Sequence, residues 1–191
     1  LCHRVRPNIV MLMDTSDETL AEAAARADRD AFSALLSRHY DRIFGLAFRL
    51  TGSRAEAEDL TQDIAMALPE KLRSYRRQAR FTTWLYRVTV NAAFDRRRRA
   101  ATRSRAADGW GDWELARQAE MSEAADAQDW LGRTMRTLPV ELRDTVALTL
   151  GEELSQAEAA EVLGVSEGTI AWRMSEVKKR LRAVARAEGM L

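Results

Sequence analysis

The stretch LSQAEAAEVLGVSEGTIAWRMSEVKKRLRAV, residues 154–184, contains two helix starts separated by a forced turn. Ser155 and Glu158 have the spacing of a capping box, in which the serine oxygen takes an early helical amide and the glutamate reaches back to the serine amide. Ala159, Ala160 and Leu163 then fall on one side at helical steps, and Gly164 permits the sharp turn that ends a short helix. Ser166 caps a second helix whose inward positions are Ile170, Met174, Val177 and Leu181. Small alanines on the first helix let the second cross it closely. A short helix, a glycine-containing turn and a longer helix with a basic outer face make a helix-turn-helix, and its second helix is shaped to enter a major groove.

Outward from this motif the chain keeps helical spacing. Trp130, Leu131, Met135 and Leu138 form one apolar stripe, and after Pro139 the residues Leu142, Val146 and Leu150 form another, closed by Gly151. Residues 100–126 lose periodicity and are rich in Ala, Arg, Gly, Asp and Glu, so a linker is expected there, with Trp110 and Trp113 unusual inside it. Further upstream, Phe32, Leu35, Leu36, Ile43, Phe44, Ala47 and Leu50 mark an amphipathic helix over 29–50, which Gly52 ends. Ser53 and Glu56 open a helix predicted to run to about Leu72, with a kink or early stop at Pro69 because proline lacks the amide donor. Residues 73–80, RSYRRQAR, read as a basic loop. A third helix follows with Phe81, Trp84, Leu85, Val88 and Ala92 inward, ending in Arg96–Arg99.

Composition agrees with an all-α chain. Its 191 residues include three prolines and nine glycines, and 46% are hydrophobic against 31% charged, as in an ordinary folded protein. The length suits two small domains. The single cysteine excludes an internal disulfide and fits a reducing compartment. Cys2 and His3, with only His39 besides, fall short of the four ligands of a closed zinc site, so no metal is expected. The apolar run at 9–13 is too short for a signal peptide or a membrane span, and Met11 and Met13 are candidate start residues.

The net charge of +1 hides a strong segregation. Between Lys71 and Arg105 the chain carries Arg73, Arg76, Arg77, Arg80, Arg87, Arg96, Arg97, Arg98, Arg99 and Arg103, opposed only by Asp95. A second basic cluster spans Lys178 to Arg186, while acidic residues gather in 14–30, 56–63, 108–129 and 152–167. Such separation suggests two contacts with a polyanion, since crowded cations gain from counterion release on phosphate. On the helix after Ser53, Ala57, Leu60 and Ile64 make the buried stripe, and Glu56, Asp59, Gln62 and Asp63 point away from it. That acidic row reads either as a solvated face or as an acceptor surface for a basic partner. No residue set is spaced for catalysis, and no glycine-rich phosphate loop is present.

Taken together, HYDRIFGLAFRLTGSRAEAEDLTQDI and FTTWLYRVTVNAAFDRRRR in the first half, with LPVELRDTVALTL and the 154–184 stretch in the second, resemble the extracytoplasmic-function sigma factors. These are small promoter-specificity subunits of bacterial RNA polymerase in the sigma-70 family. The resemblance covers about 28–99 and 128–186. It implies a tail over 1–27, a region 2 domain over 28–99, a linker over 100–127 and a region 4 helix-turn-helix domain over 128–187. It further implies that Asp59, Leu60, Gln62 and Asp63 meet the clamp of the largest polymerase subunit, with a further contact to the flap of the second largest.

By the same resemblance, residues 73–80 and the helix after them open and read the minus-ten promoter element. Tyr75 would capture an unstacked base, Asn91 would line its pocket, and Arg76, Arg77, Arg80, Arg87, Arg96, Arg97 and Arg98 would hold phosphates. In the second domain Ser166, Glu167 and Thr169 would reach bases or phosphates of the minus-thirty-five element, and Arg173, Lys178 and Lys179 its backbone. Two departures stand out: GTIAWR replaces the common GTVKSR, putting Ala171 and Trp172 at contact positions, and Pro69 interrupts a helix that is continuous in the family. The resemblance implies a cytoplasmic protein with no cofactor and no small-molecule substrate. It also implies regulation by an anti-sigma factor, often membrane-anchored. The competing reading is a free-standing helix-turn-helix regulator, against which stands the absence of a long heptad stretch for dimerisation.

Overall fold

The computed structural model describes residues 14–106 and 135–187, and every regular element among them is helical. Four helices form the first cluster. Helix α1, Asp17–Ala25, is capped by Ser16 and buries Leu20, Ala21 and Ala24. The final part of the segment expected to be a tail is therefore integral to the first domain. Helix α2, Arg29–Thr51, starts where the Asp28 carboxylate accepts the amides of Asp30 and Ala31, both at 3.0 Å, and ends at Gly52 in the left-handed region. Its inward face, Leu35, Ile43, Leu46, Ala47 and Leu50, is almost fully buried and supplies the centre of the core.

Helix α3, Arg54–Leu72, continues past Pro69 to its expected end. Proline inside a helix costs about 3 kcal/mol. Leu68 and Leu72 on either side are both buried, and two such leucines recover about 3–6 kcal/mol. Packing of the last turn thus outweighs the lost hydrogen bond, and the expected early stop does not occur. Helix α4, Phe81–Ala106, continues beyond Arg99 into the stretch read as linker. Ala101 to Ala106 lack an apolar pattern, but the helix of which they are the end is anchored upstream by Phe81, Leu85, Val88, Val90 and Ala93. Trp110, Trp113, Trp130 and Leu131 lie outside the described residues, as do Cys2 and His3.

The second cluster holds α5, Val140–Val146, a π-helical turn, Ala147–Gly151, then α6, Gln156–Leu163, and α7, Glu167–Ala187. Both limbs of the capping box between Ser155 and Glu158 are formed, and Gly164 takes the left-handed conformation at the turn. Ala159, Ala160 and Val162 are buried, with Leu163 only half-buried: Val162 rather than Leu163 completes the contact. Ile170 and Val177 are buried on α7, and Met174 and Leu181 pack beside them. The switch to π-helical geometry after Val146 turns Ala147 and Leu148 inward and leaves Leu150 exposed, against its expected place in the apolar stripe. The two clusters also touch, α4 lying against α6, and α2 against α5 and the π-helical turn. No described helix is long and apolar enough to cross a membrane.

Candidate nucleic-acid interface and acidic face

Helix α3 has an apolar side, Ala57, Leu60, Ile64 and Leu68, locked into the core, so its other side is fixed in orientation. Asp59, Gln62 and Asp63 are exposed there, beside Met66, which is 73% exposed and has no core function. Leu60 belongs to the opposite side: at 1% exposure its side chain cannot reach a partner, because the same stripe that orients the acidic row consumes it. The acidic row is not solitary. Arg96 of α4 reaches across, its Nη2 3.0 Å from Asp59 and its Nη1 3.5 Å from Asp63. The carboxylates remain 66% and 60% exposed, so each keeps open lone pairs for an incoming donor.

Between α3 and α4 lies an open groove of about 930 Å³. Leu60, Ile64 and Ala92 form its floor, and Asn91, Arg99 and Arg103 stand on its α4 wall. This joins an apolar surface, an amide and several guanidinium groups in one channel, a combination suited to a single nucleic-acid strand. The arginine tract itself divides. Arg98 pairs with Asp95 at 2.9 Å, whereas Arg97 points the other way and donates to both oxygens of Asp144 at 3.1 Å. Arg87 pairs with Glu161 at 2.7 Å.

The 73–80 loop leads into α4 from the far end of α3. Arg76, Arg77 and Arg80 are exposed on it, Arg77 with φ of 56° and paired to Glu22 at 2.6 Å. Tyr75 is turned inward at 8% exposure. Its ring meets Phe81 edge-on at 5.7 Å and Trp84 at 5.3 Å, and its hydroxyl donates to the Ala79 carbonyl at 3.0 Å. Burial, with Glu18 nearby, pushes the phenol up from its ordinary pKa. Presentation of this ring to a base, expected from the sequence, is not found in this conformation. A loop with no other large apolar residue uses its one aromatic to anchor itself to the core. Trp84 belongs to the same aromatic cluster, as its place on the inward stripe predicts.

On the helix-turn-helix, Ser166 Oγ accepts the Thr169 amide at 3.1 Å and lies 2.8 Å from the Thr169 hydroxyl. Ser166 and Glu167 are exposed at the helix start and Thr169 is half-buried. Lys178 and Lys179 are exposed and Arg173 is half-buried. Trp172 is 65% exposed, which removes packing on a neighbouring helix as its explanation. Sequence reasoning missed Asp144 and Glu152. Asp144 is 3% exposed, and burial raises its carboxyl pKa against the opposing pull of Arg97 and Arg143. Among the described residues no group of His, Cys, Asp or Glu is placed to hold a metal ion.

This arrangement has the form of a two-part helical DNA-binding protein. Residues 35–103 match the sigma-70 region 2 family and residues 128–181 match sigma-70 region 4. The chain is 34% identical over 171 residues to the ECF RNA polymerase sigma factor SigM of Mycobacterium tuberculosis, covering 88% of this chain and 84% of that one. It is 28% identical to the ECF sigma factor SigW of Bacillus subtilis, over 82% of this chain and 90% of that one. Among solved structures it resembles CnrH bound to the cytosolic domain of CnrY, with a TM-score of 0.64, 29% identity, and coverage of 90% and 97% of the two chains. The chain belongs to the ECF sigma factors of the sigma-70 family. It binds core RNA polymerase and directs promoter recognition, and as a sigma factor it is not an enzyme.

Proposed function

We propose that the outer face of α3 is the polymerase-docking surface, with Asp59, Gln62 and Asp63 as acceptors for arginines of the clamp and Met66 as the apolar contact between them. The observation that carries this reading is adjacency: the acidic face and the arginine-walled groove share helix α3 and are bridged by Arg96. Carboxylate–guanidinium bonds are charge-assisted and frequently bidentate, which gives such a face direction as well as affinity. A promoter strand held in the groove would thus leave polymerase directly past the clamp. Asn91 offers donor and acceptor to an unstacked base, while Arg96, Arg98 and the loop residues Arg76, Arg77 and Arg80 take phosphates. Tyr75 serves as the internal strut of that loop.

In the second cluster α7 reads the minus-thirty-five element. Ser166, Glu167 and Thr169 lie at its entry, Lys178 and Lys179 hold the backbone, and Arg173 assists. Trp172, exposed where the common pattern has a small polar residue, contributes an apolar surface for a thymine methyl or a sugar. The protein works in the cytoplasm with its polymerase. CnrH was solved with the cytosolic domain of CnrY, and RpoE of Bartonella quintana with the anti-sigma factor NepR. An anti-sigma factor that covers the α3 face and the groove is the partner proposed for this chain, and membrane anchoring of that factor would hold the pair at the inner membrane.

In vitro transcription with purified core polymerase tests the assignment. Initiation should require both promoter elements, and Lys178→Ala with Lys179→Ala should weaken every template that retains a minus-thirty-five element. Initiation that ignores substitution of both elements would overturn it.

A further inference from the structure

The loop RSYRRQAR, residues 73–80, contains no carboxylate, so an anionic partner for it has to come from another element. Several of its hydrogen bonds are local: the Tyr75 hydroxyl to the Ala79 carbonyl, Ser74 Oγ to the Lys71 carbonyl at 2.7 Å, and Arg76 to the Arg73 carbonyl at 2.8 Å. Contacts of this kind shape a loop without fixing it on the domain. Two carboxylates of α1 reach it from outside. Glu22 takes the Arg77 Nε at 2.6 Å, and Glu18, one turn earlier, accepts the Phe81 amide at 3.3 Å, where the loop becomes α4.

Both contacts answer a need that the loop leaves open. Helix α4 begins after Arg80, whose carbonyl accepts the Trp84 amide but whose side chain has only donors and cannot cap a helix. The first turn of α4 also contains no acidic residue. Glu18 supplies from α1 both the acceptor for an orphan amide and the negative charge that favours a helix N-terminus. Arg77 has φ of 56°, a region costly for a residue with a Cβ, and the ion pair to Glu22 holds its side chain while the backbone keeps that form.

Helix α1 can support the loop because it is itself fastened. Leu20, Ala21 and Ala24 are buried, and Asp17, next to Glu18, binds Arg38 at 2.5 Å and His39 Nε2 at 2.8 Å on α2. Glu18 and Glu22, four residues apart, share one helix face. The His39 ring in turn lies 5.2 Å from that of Phe81, so the junction of α1, α2 and α4 is closed on every side.

We infer that Glu18 and Glu22 are positioning residues for promoter opening: they set the conformation of the 73–80 loop and of the entry to α4, from which Arg76 and Arg80 meet the promoter strand. A carboxylate repels phosphate, so their effect on the strand is exerted through the loop. Helix α1 thereby has a task in opening DNA although it lies outside both the acidic docking face and the groove. This inference rests on the reading of residues 73–80 as part of the surface that holds the minus-ten strand.

The test uses the full chain with core polymerase on a duplex promoter. Permanganate reactivity of minus-ten thymines, followed in time, gives the opening rate, and fluorescence anisotropy gives the affinity for polymerase. Glu18→Ala combined with Glu22→Ala should slow opening about tenfold, the size set by loss of a helix cap and an exposed ion pair, with polymerase affinity within about twofold of the parent. Glu18→Gln keeps an acceptor oxygen and should open faster than Glu18→Ala. Asp41→Ala, at an exposed α2 carboxylate, should open at the parent rate. Amide hydrogen exchange should quicken over residues 73–84 in the alanine pair and keep its parent protection in α3.

Arg76→Ala combined with Arg80→Ala, in the same assay, keeps the two readings apart. A slow arginine pair beside an alanine pair at the parent rate would overturn the positioning role and leave the loop assignment standing. An arginine pair at the parent rate would refute the loop assignment itself. Parallel loss of opening rate, melting midpoint and polymerase affinity in the alanine pair, with no recovery in Glu18→Gln, would reduce both carboxylates to stabilisers of the fold and overturn the inference.

Discussion

Reversal of Asp63 to arginine separates the docking role of α3 from its structural role. Within the chain, Asp63 contributes a single exposed ion pair with Arg96 at 3.5 Å, and Arg96 retains Asp59 at 3.0 Å when it is lost. Exposed pairs are worth about 0–1 kcal/mol, and a change of that size moves the melting midpoint of a chain this long by about 2–4 °C. At a polymerase interface the same substitution removes a charge-assisted hydrogen bond, about 1.5–3 kcal/mol, and sets a cation against a basic surface. A total near 3–4 kcal/mol weakens binding about a hundredfold to a thousandfold. Fluorescence anisotropy of labelled protein titrated with core polymerase measures this, with Asp63→Asn expected to fall between parent and reversal because it removes the charge without repulsion. Binding of Asp63→Arg within threefold of the parent would refute the acidic docking face. A melting drop several times the calculated one would instead place Asp63 in the fold.

Tyr75→Phe loses only the bond to the Ala79 carbonyl, about 1 kcal/mol, and should retain transcription, whereas Tyr75→Ala opens the aromatic cluster at about 3–5 kcal/mol and should lower both melting temperature and promoter opening; a fully stable Tyr75→Ala that still cannot open promoters would return the ring to a base-capturing role. Trp172→Ala should leave stability within about 0.5 kcal/mol, since the ring is exposed, and reduce binding only to templates carrying a minus-thirty-five element, measured by footprinting of holoenzyme. His39 is buried beside Phe81 and its Nε2 lies 2.8 Å from Asp17; burial lowers its pKa despite that carboxylate, with Arg42 and Arg38 adding to the lowering. Because the folded pKa lies below the unfolded value of 6.5, the stabilising contribution is present above that pH and is lost as pH falls through the folded pKa. The melting midpoint should therefore decline on acidification below about pH 6.5, and less steeply in His39→Gln; parallel profiles would exclude His39 as the titrating group.

Elements that local chemistry dictates were legible in the sequence, and those that depend on tertiary partners were not. The helix-turn-helix follows from a capping box, a left-handed glycine and apolar residues at three- and four-residue steps, all within one short stretch. The orientation of α3 follows from Ala57, Leu60 and Ile64 in the same way. Pro69 defeated a local rule because Leu68 and Leu72 have tertiary partners that composition does not reveal. Tyr75 misled for a related reason: a lone aromatic in a basic loop suits base stacking and core anchoring equally, and only the position of Phe81 and Trp84 decides between them. Helix α1 carried too few apolar residues to stand out, since Leu20, Ala21 and Ala24 suffice only where α2 offers a surface. Asp144 and Glu152 were invisible because their partners lie far away in sequence.

The charge segregation now has a physical reason. An arginine-rich helix cannot stay unpaired without self-repulsion, and the chain answers with carboxylates of its own on both sides of α4: Asp59 and Asp63 on one, Asp144 and Glu161 on the other. Most of these pairs are partly exposed, so each is worth no more than about 1 kcal/mol, and the buried Asp144 gives back much of its attraction as desolvation. A phosphate strand or a basic polymerase surface offers the same bond types in greater number, so exchange proceeds with little net cost to the chain. Pairing the arginines with apolar cover would have given a tighter monomer and no route to release.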